Sequence, residues 1–351
     1  NNAGYDGGAV FAANGIVTDT AVSSNLAYRA GGIAASNIWA RRVTCQENSA
    51  STYSGGGSFM ASRLESCEFR ANYAPIGHSA LFAVGSLISN CVVRHNSGAS
   101  DAVGVSHGTD LLCSLIESNR SRWSAVMLWS GKGVVSNCLV RGNQASSLCG
   151  GIMCGTASTS LVVDCRIEYN SAHTYSCGGV WLKEASRLLR CVIRGNKALA
   201  ADGIAFGGGV YMDGGVMEEC VIEDNQAGDG VNSSGAGGGV YMKNNAVVNR
   251  CRIIGNVVWD CPGKSLGAYG GGACIVAPVM MANSFVAGNM AWNHAAEGGG
   301  VHAMYTEAEI VNCTIVGNRA AQGGGTADGT LKNCIVYDNE AHDMASANYV
   351  G

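Results

Sequence analysis

The sequence predicts an all-β fold, a right-handed parallel β-helix of about thirteen coils with three short strands per coil. Three observations carry this. A short motif recurs along the 351 residues at intervals that begin near 24. Within each copy, apolar residues alternate with period two, which marks strands. An outward column then changes sign from one copy to the next, as stacked strands in register require.

The motif is clearest as Asn-Cys-Leu-Val-Arg-Gly-Asn at 137–143, and its closing asparagine recurs from Asn25 to Asn339 at spacings of 23, 24, 24, 23, 24, 27, 26, 29, 31, 33, 29 and 21. The cysteine slot holds Cys67, Cys91, Cys138, Cys165, Cys191, Cys220, Cys251, Cys313 and Cys334, with Thr20, Val43, Ser114 and Ser284 in other coils. Two residues on, the column reads Phe69, Val93, Ile116, Val140, Ile167, Ile193, Ile222 and Ile253, so both positions face inward. The next position, facing out, reads Arg94, Glu117, Arg141, Glu168, Arg194, Glu223. Stacking at roughly 4.8 Å per coil gives a rod about 58 Å long, right-handed by the chirality of parallel crossovers. The asparagines, among them Asn143, Asn170, Asn196, Asn225 and Asn256, then form an amide ladder inside one corner. Glycine clusters such as 207–209, 237–239 and 298–300 turn another corner.

Composition agrees. The chain has 51 Gly, 3 Pro and 14% charged residues, against roughly 7% Gly and 25% charge in ordinary domains. So much glycine disfavours helices, and 47% hydrophobic residues disfavour disorder. A net charge of −4 with no basic run makes nucleic acid a poor partner. No run of 18 apolar residues predicts a membrane span. Residues 1–351 read as a single β-helix, and as a fragment of a longer polypeptide or a unit that associates end to end with its neighbours, because neither terminus reads as a cap.

Gly7-Gly8-Ala9-Val10 and Phe69-Arg70-Ala71-Asn72, with Val or Ile replacing the Phe elsewhere, resemble the repeats of chlamydial polymorphic membrane proteins and related bacterial surface proteins. That resemblance implies a β-helical passenger at a bacterial cell surface, hence an extracellular location, with adhesion as a role.

The sixteen cysteines read mainly as reduced, buried thiols. Stacked strands hold neighbouring Cβ atoms near 4.8 Å, outside the roughly 3.5–4.5 Å of a disulfide. The corner pair Cys149 and Cys177 is the better disulfide candidate. A straight column offers no tetrahedral zinc site, and no metal or other cofactor is expected. Ser106-His107-Gly108 is similar to the Gly-His-Gly of polygalacturonase-type glycosidases, without the paired aspartates and Arg-x-Lys that belong with it. His107 therefore reads as a surface residue. The loop aspartates Asp202, Asp224, Asp229 and Asp260 read as solvated.

Two features suggest binding. After the glycine clusters, an outward column runs Phe59, Phe82, Ser106, Met127, Met153, Trp181, Tyr211, Tyr241, Cys274, His302, flanked by Lys183, Asp213 and Lys243. Such a stripe offers a flat platform for sugar rings or a protein. The second feature is the swelling of the coil by insertions at 200–206, 229–236, 259–269 and 292–297, which puts Trp259, Tyr269, Trp292 and His294 forward as contacts. The function read from these features is a structural or adhesive passenger that binds a glycan or a protein of a host or neighbouring cell. A carbohydrate-active enzyme, either a polysaccharide lyase or a glycoside hydrolase, is the alternative, and a subunit of an extracellular fibre is a third reading. No catalytic residue is assigned.

Overall fold

The computed structural model describes residues 2–3, 7–155, 159–174, 177–201, 203–261, 267–276, 278–293, 295–305, 307–342 and 346–350. Among these there is no α-helix, and the strands build a parallel β-solenoid of about 12 turns. The residues group into two compact units, 1–146 with 151–166, and 147–150 with 167–351.

In the first unit the cysteine-slot strands Thr44–Gln46, Glu68–Arg70, Val92–Arg94, Leu115–Glu117 and Leu139–Arg141 stack in register, so that Cys45, Phe69, Val93, Ile116 and Val140 form one buried column. A second ladder uses two-residue strands after each asparagine, such as Tyr73–Ala74 and Arg120–Ser121. The third face is one long strand in Val10–Thr18 and Ile33–Arg41, and two consecutive pieces, as in Leu81–Val84 and Leu87–Ser89, farther along. The second unit repeats these ladders and adds a fourth from Gly203–Phe206, Ser233–Ala236, Ala268–Tyr269 and Ala296–Glu297.

Both corners that flank the cysteine-slot strands need a residue in the left-handed region. Asn137 before Cys138 has φ 52°, and Gly142 and Gly195, before Asn143 and Asn196, have φ 61° and 62°. This is why Asn, Asp and Gly gather there, since other side chains pay a steric cost. At the glycine corner the constraint is space: a Cβ on Gly208 would lie 2.4 Å from the carbonyl oxygen of Gly238 in the next turn.

The amide ladder holds in each unit. Asn25, Asn48, Asn72, Asn96, Asn119 and Asn143 pass hydrogen bonds from Nδ2 to the next Oδ1 at 2.9–3.1 Å. Asn170, Asn196, Asn225, Asn256, Asn289, Asn318 and Asn339 do so at 2.9–3.0 Å. Past the first asparagine of each unit, the Oδ1 also accepts the backbone N–H of the preceding asparagine, as Asn256 does from Asn225 at 3.0 Å. These buried amides are therefore satisfied rather than costly.

The cysteine slot has a related logic. The Cys91 Sγ accepts the backbone N–H of Cys67 at 3.4 Å and donates to the Ser89 carbonyl at 3.3 Å. Cys165 does the same for Cys138, and Cys220 for Cys191, each at 3.4 Å. Where serine replaces cysteine, Ser114 and Ser284 take the same N–H at 3.0 and 3.1 Å. Apart from Val43, the slot therefore holds a small side chain with a lone pair, which a purely hydrophobic reading of the thiols does not capture. Burial pushes the Cys45 thiol above its usual range and that of Cys313 to about 11, while contact with the neighbouring ladder thiols, reinforced by burial, raises Cys91 and Cys220. Cys149 and Cys177, both fully buried, have sulfurs 2.9 Å apart. Cys113 is exposed, Cys334 partly so, and the other fourteen cysteines are buried. Thiol titration of the native protein is expected to label Cys113 and Cys334, and denaturation without reductant to expose the other fourteen. Finding the ladder cysteines oxidised would overturn the reduced ladder. A shortfall of two, mapped to Cys149 and Cys177, would place a crosslink at that corner alone.

The outward charges pair between turns within each unit. Arg141 lies 2.8 Å from Glu117, and Arg194 lies 3.6 Å from Glu223. Arg70 and Arg94 stack in register, yet each turns to its own partner: Arg70 donates to Gln46, and Arg94 reaches Glu68 at 2.7 Å.

Candidate functional site

In the second unit the strands Val180–Leu189, Val210–Glu218, Val240–Lys243, Ala273–Ile275 and Val301–Ala303 place Trp181, Tyr211, Tyr241, Cys274 and His302 in one column, as the alternation predicts. Val180, Val210 and Val240 point the other way, into the core. Trp181 and Tyr211 have ring centroids 4.9 Å apart, and Tyr211 stacks on Tyr241 at 5.1 Å. The Lys183 Nζ lies 5.1 Å from the Trp181 ring, and that of Lys243 lies 5.6 Å from the Tyr211 ring and 3.6 Å from Asp213. This end of the stripe is half-buried and combines two rings, two ammonium groups and a carboxylate.

The other end is covered. Tyr241 is 9% exposed, His302 5% and Cys274 not at all. The insertions at 200–206, 229–236, 259–269 and 292–297 supply the cover, because their strands form the fourth ladder. Phe206 packs on Tyr241 at 4.8 Å, and Tyr269 on His302 at 4.8 Å. Burial pushes the Tyr241 hydroxyl upward and lowers His302 to about 4, with Glu297 3.5 Å away. An open aromatic platform along the whole column is thus not what the chain builds.

The remaining insertion residues separate. Trp259 and Trp292 pair at 5.9 Å, and Trp292, 46% exposed, borders a cleft of about 180 Å³ with Asn293, Arg319 and His342. His294 lies outside the described residues, as does Asp202. Asp229 and Asp260 are not simply solvated: Asp229 accepts the backbone N–H groups of Val231, Asn232 and Ser233, and Asp260 accepts from Ser234 at 2.9 Å.

In the first unit the outward column differs from the expected one by two residues. It runs Ser58, Phe82, Gly104, Met127, Met153. Phe59 points inward and is buried, because Gly57, the third glycine of its cluster, takes the inward position beside Ile33 and the Phe59 ring fills the space. Ser106 pairs with Val84, two places further on. His107 is exposed, with its Nδ1 2.6 Å from the Ser106 hydroxyl.

These coil-by-coil registers, parallel throughout, are matched by sequence similarity. A family model described as the right handed beta helix region matches residues 82–279. The chain belongs to the right-handed β-helix family. No curated protein matches this β-helix. Among solved structures, a fragment of TibA hyper-glycosylated by TibC is 12% identical with a TM-score of 0.26, over 95% of this chain and 100% of that one. The Dettilon tailspike protein is 10% identical with a TM-score of 0.32, over 85% and 62%. The catalytic domain of a GH87 alpha-1,3-glucanase in complex with tetrasaccharides is 10% identical with a TM-score of 0.33, over 98% and 63%. Among the described residues of this β-helix, no helix is long and apolar enough to cross a membrane.

Proposed function

We propose that this β-helix is an extracellular structural or adhesive passenger at a bacterial surface, holding a glycan or protein partner on the open end of the stripe. The observation that supports this is the Trp181–Tyr211 pair with Lys183, Lys243 and Asp213 around it. The rings supply area at small entropic cost and the charges supply orientation. Tyr241, Tyr269 and His302 then act as the buttress beneath, and Trp259 and Trp292 as a second contact. The Gly-Gly-Ala-Val and Phe-x-x-Asn-like repeats, which resemble those of chlamydial polymorphic membrane proteins, agree with this role.

Retention on glycan and cell-surface protein arrays tests it. Trp181→Ala and Lys183→Ala are each expected to lose retention while shifting stability by less than about 1 kcal/mol, as partly exposed sites do. A wild-type chain that binds nothing on either array would instead be a passive stalk.

A further inference from the structure

The pair Cys149 and Cys177 stands apart from the cysteine ladder. Each immediately precedes a glycine pair at the corner that leads into the third face, and both are fully buried. Backbone hydrogen bonds align this corner from turn to turn: the Gly150 N–H donates to the Cys177 carbonyl at 3.1 Å, that of Gly178 to Gly207 at 3.2 Å and that of Gly208 to Gly237 at 3.0 Å. In the later turns of the same unit the position is glycine, at Gly207, Gly237, Gly270 and Gly298, with φ of 60–68°. Two consecutive cysteines are therefore not what the repeat itself demands there.

Their contact differs from the ladder as well. Cys91, Cys138 and Cys251 donate to the carbonyl oxygens of Ser89, Ser136 and Asn249, each at 3.3 Å. At the corner Cys177 donates to the Cys149 sulfur at 2.9 Å, and Cys149 donates to the Gly179 carbonyl at 3.4 Å. Sulfur thus faces sulfur across one step of the solenoid, and a covalent bond needs a further approach of less than about 1 Å. Neither residue lies in a strand, so the strand spacing near 4.8 Å does not fix their Cβ atoms as it does in the ladder. Burial, reinforced by the hydrogen bond to Cys149, holds the Cys177 thiol well above its usual range. The closed corner is therefore a poor nucleophile, and exchange goes through its opening or through the folding chain.

We infer that Cys149 and Cys177 form a redox site that closes to a disulfide between turns, with a low-molecular-weight or protein disulfide, RSSR, as the oxidant. One cysteine thiolate attacks a sulfur of RSSR, forming a mixed disulfide and expelling RS⁻, which takes up the proton that the cysteine released. The second cysteine, deprotonated in turn, attacks the cysteine sulfur of the mixed disulfide and expels the other R group as RSH. Two cysteine thiols thereby lose two electrons and two protons, and RSSR becomes two RSH. The two cysteines are 28 residues apart, so the bond closes a loop of one complete turn and restricts the unfolded chain.

Treatment of the full chain with glutathione disulfide, once during refolding and once after folding, tests this by peptide mapping after an acid quench and alkylation in denaturant. The expected product joins Cys149 to Cys177, is about tenfold or more in excess over any product joining ladder cysteines such as Cys191 and Cys220, and returns to two alkylated thiols on treatment with dithiothreitol. Oxidation should raise the melting temperature of the wild type by roughly 5 °C or more. Cys149→Ser and Cys177→Ser should each lose both the product and the rise. Melting curves identify a variant that fails to fold, and the wild-type peptide map decides the matter without it. If Cys149 and Cys177 stay alkylatable under both treatments while the exposed Cys113 takes up glutathione, the inference is overturned. Preferential joining of ladder cysteines would overturn it too, because strand register rather than the corner would then decide which thiols meet.

Discussion

Replacing Ile193 with Asp is expected to abolish the cooperative unfolding of the second unit. Ile193 is fully buried and lies in register against Ile222, which lies against Ile253, and its Cγ2 approaches the glycine corner at Gly179. A carboxylate there has no counter-charge among its stacked neighbours. Burying an unpaired charge costs several kcal/mol even after relaxation, and the lost apolar packing adds about 2–5 kcal/mol. The sum, about 5–10 kcal/mol, is comparable with the roughly 5–15 kcal/mol that holds a domain together. Because each turn of a solenoid contacts only its neighbours, the damage should centre on the turns around 193. Thermal melting with hydrogen exchange checks this. Arg194→Ser, one residue along and facing outward, is the control and should cost less than about 1 kcal/mol. Equal effects at the two positions would mean that the inward and outward assignments are wrong.

How much of this was legible in the sequence depends on how local the cause is. Residues that recur in a fixed local frame, such as Asn143 and Asn225 or Cys138 and Cys220, announce both stacking and facing, because the same corner imposes the same demand in each turn. Counting fails where the frame slips. At Gly55-Gly56-Gly57 one further glycine moves Phe59 inward, and only the cross-turn pairing of Gly57 with Ile33 reveals it. The fourth ladder was illegible for another reason. Segments such as Gly203–Phe206 and Ser233–Ala236 are too short to show alternation, and their pairing spans a whole coil. Phe206 and Tyr269, which lie in insertions read as binding loops, therefore pack as the lid of a small core around Tyr241 and Cys274.

Tyr241→Ala carries the second large effect and separates the two halves of the stripe. The Tyr241 ring lies between Tyr211 at 5.1 Å and Phe206 at 4.8 Å, and it shares a buried cluster with Ala236 and Cys274. Truncation would leave a void between the main sheet and the fourth ladder, at a cost of about 3–5 kcal/mol for a buried aromatic. Part of that cost should appear as loosening of Gly203–Phe206 and Ser233–Ala236, which close over the ring. Tyr241→Phe keeps the ring and the stack, so it should lose less than about 1 kcal/mol. Trp181→Ala, at the open end, should also stay near wild type. Chemical denaturation of the three variants, with hydrogen exchange across 203–236, measures these differences. If Tyr241→Ala melts like wild type, the fourth ladder does not cap the stripe, and the whole column from Trp181 to His302 is free to meet a partner. If Tyr241→Ala is costly while Trp181→Ala is not, any partner is confined to the end formed by Trp181, Lys183, Tyr211, Asp213 and Lys243.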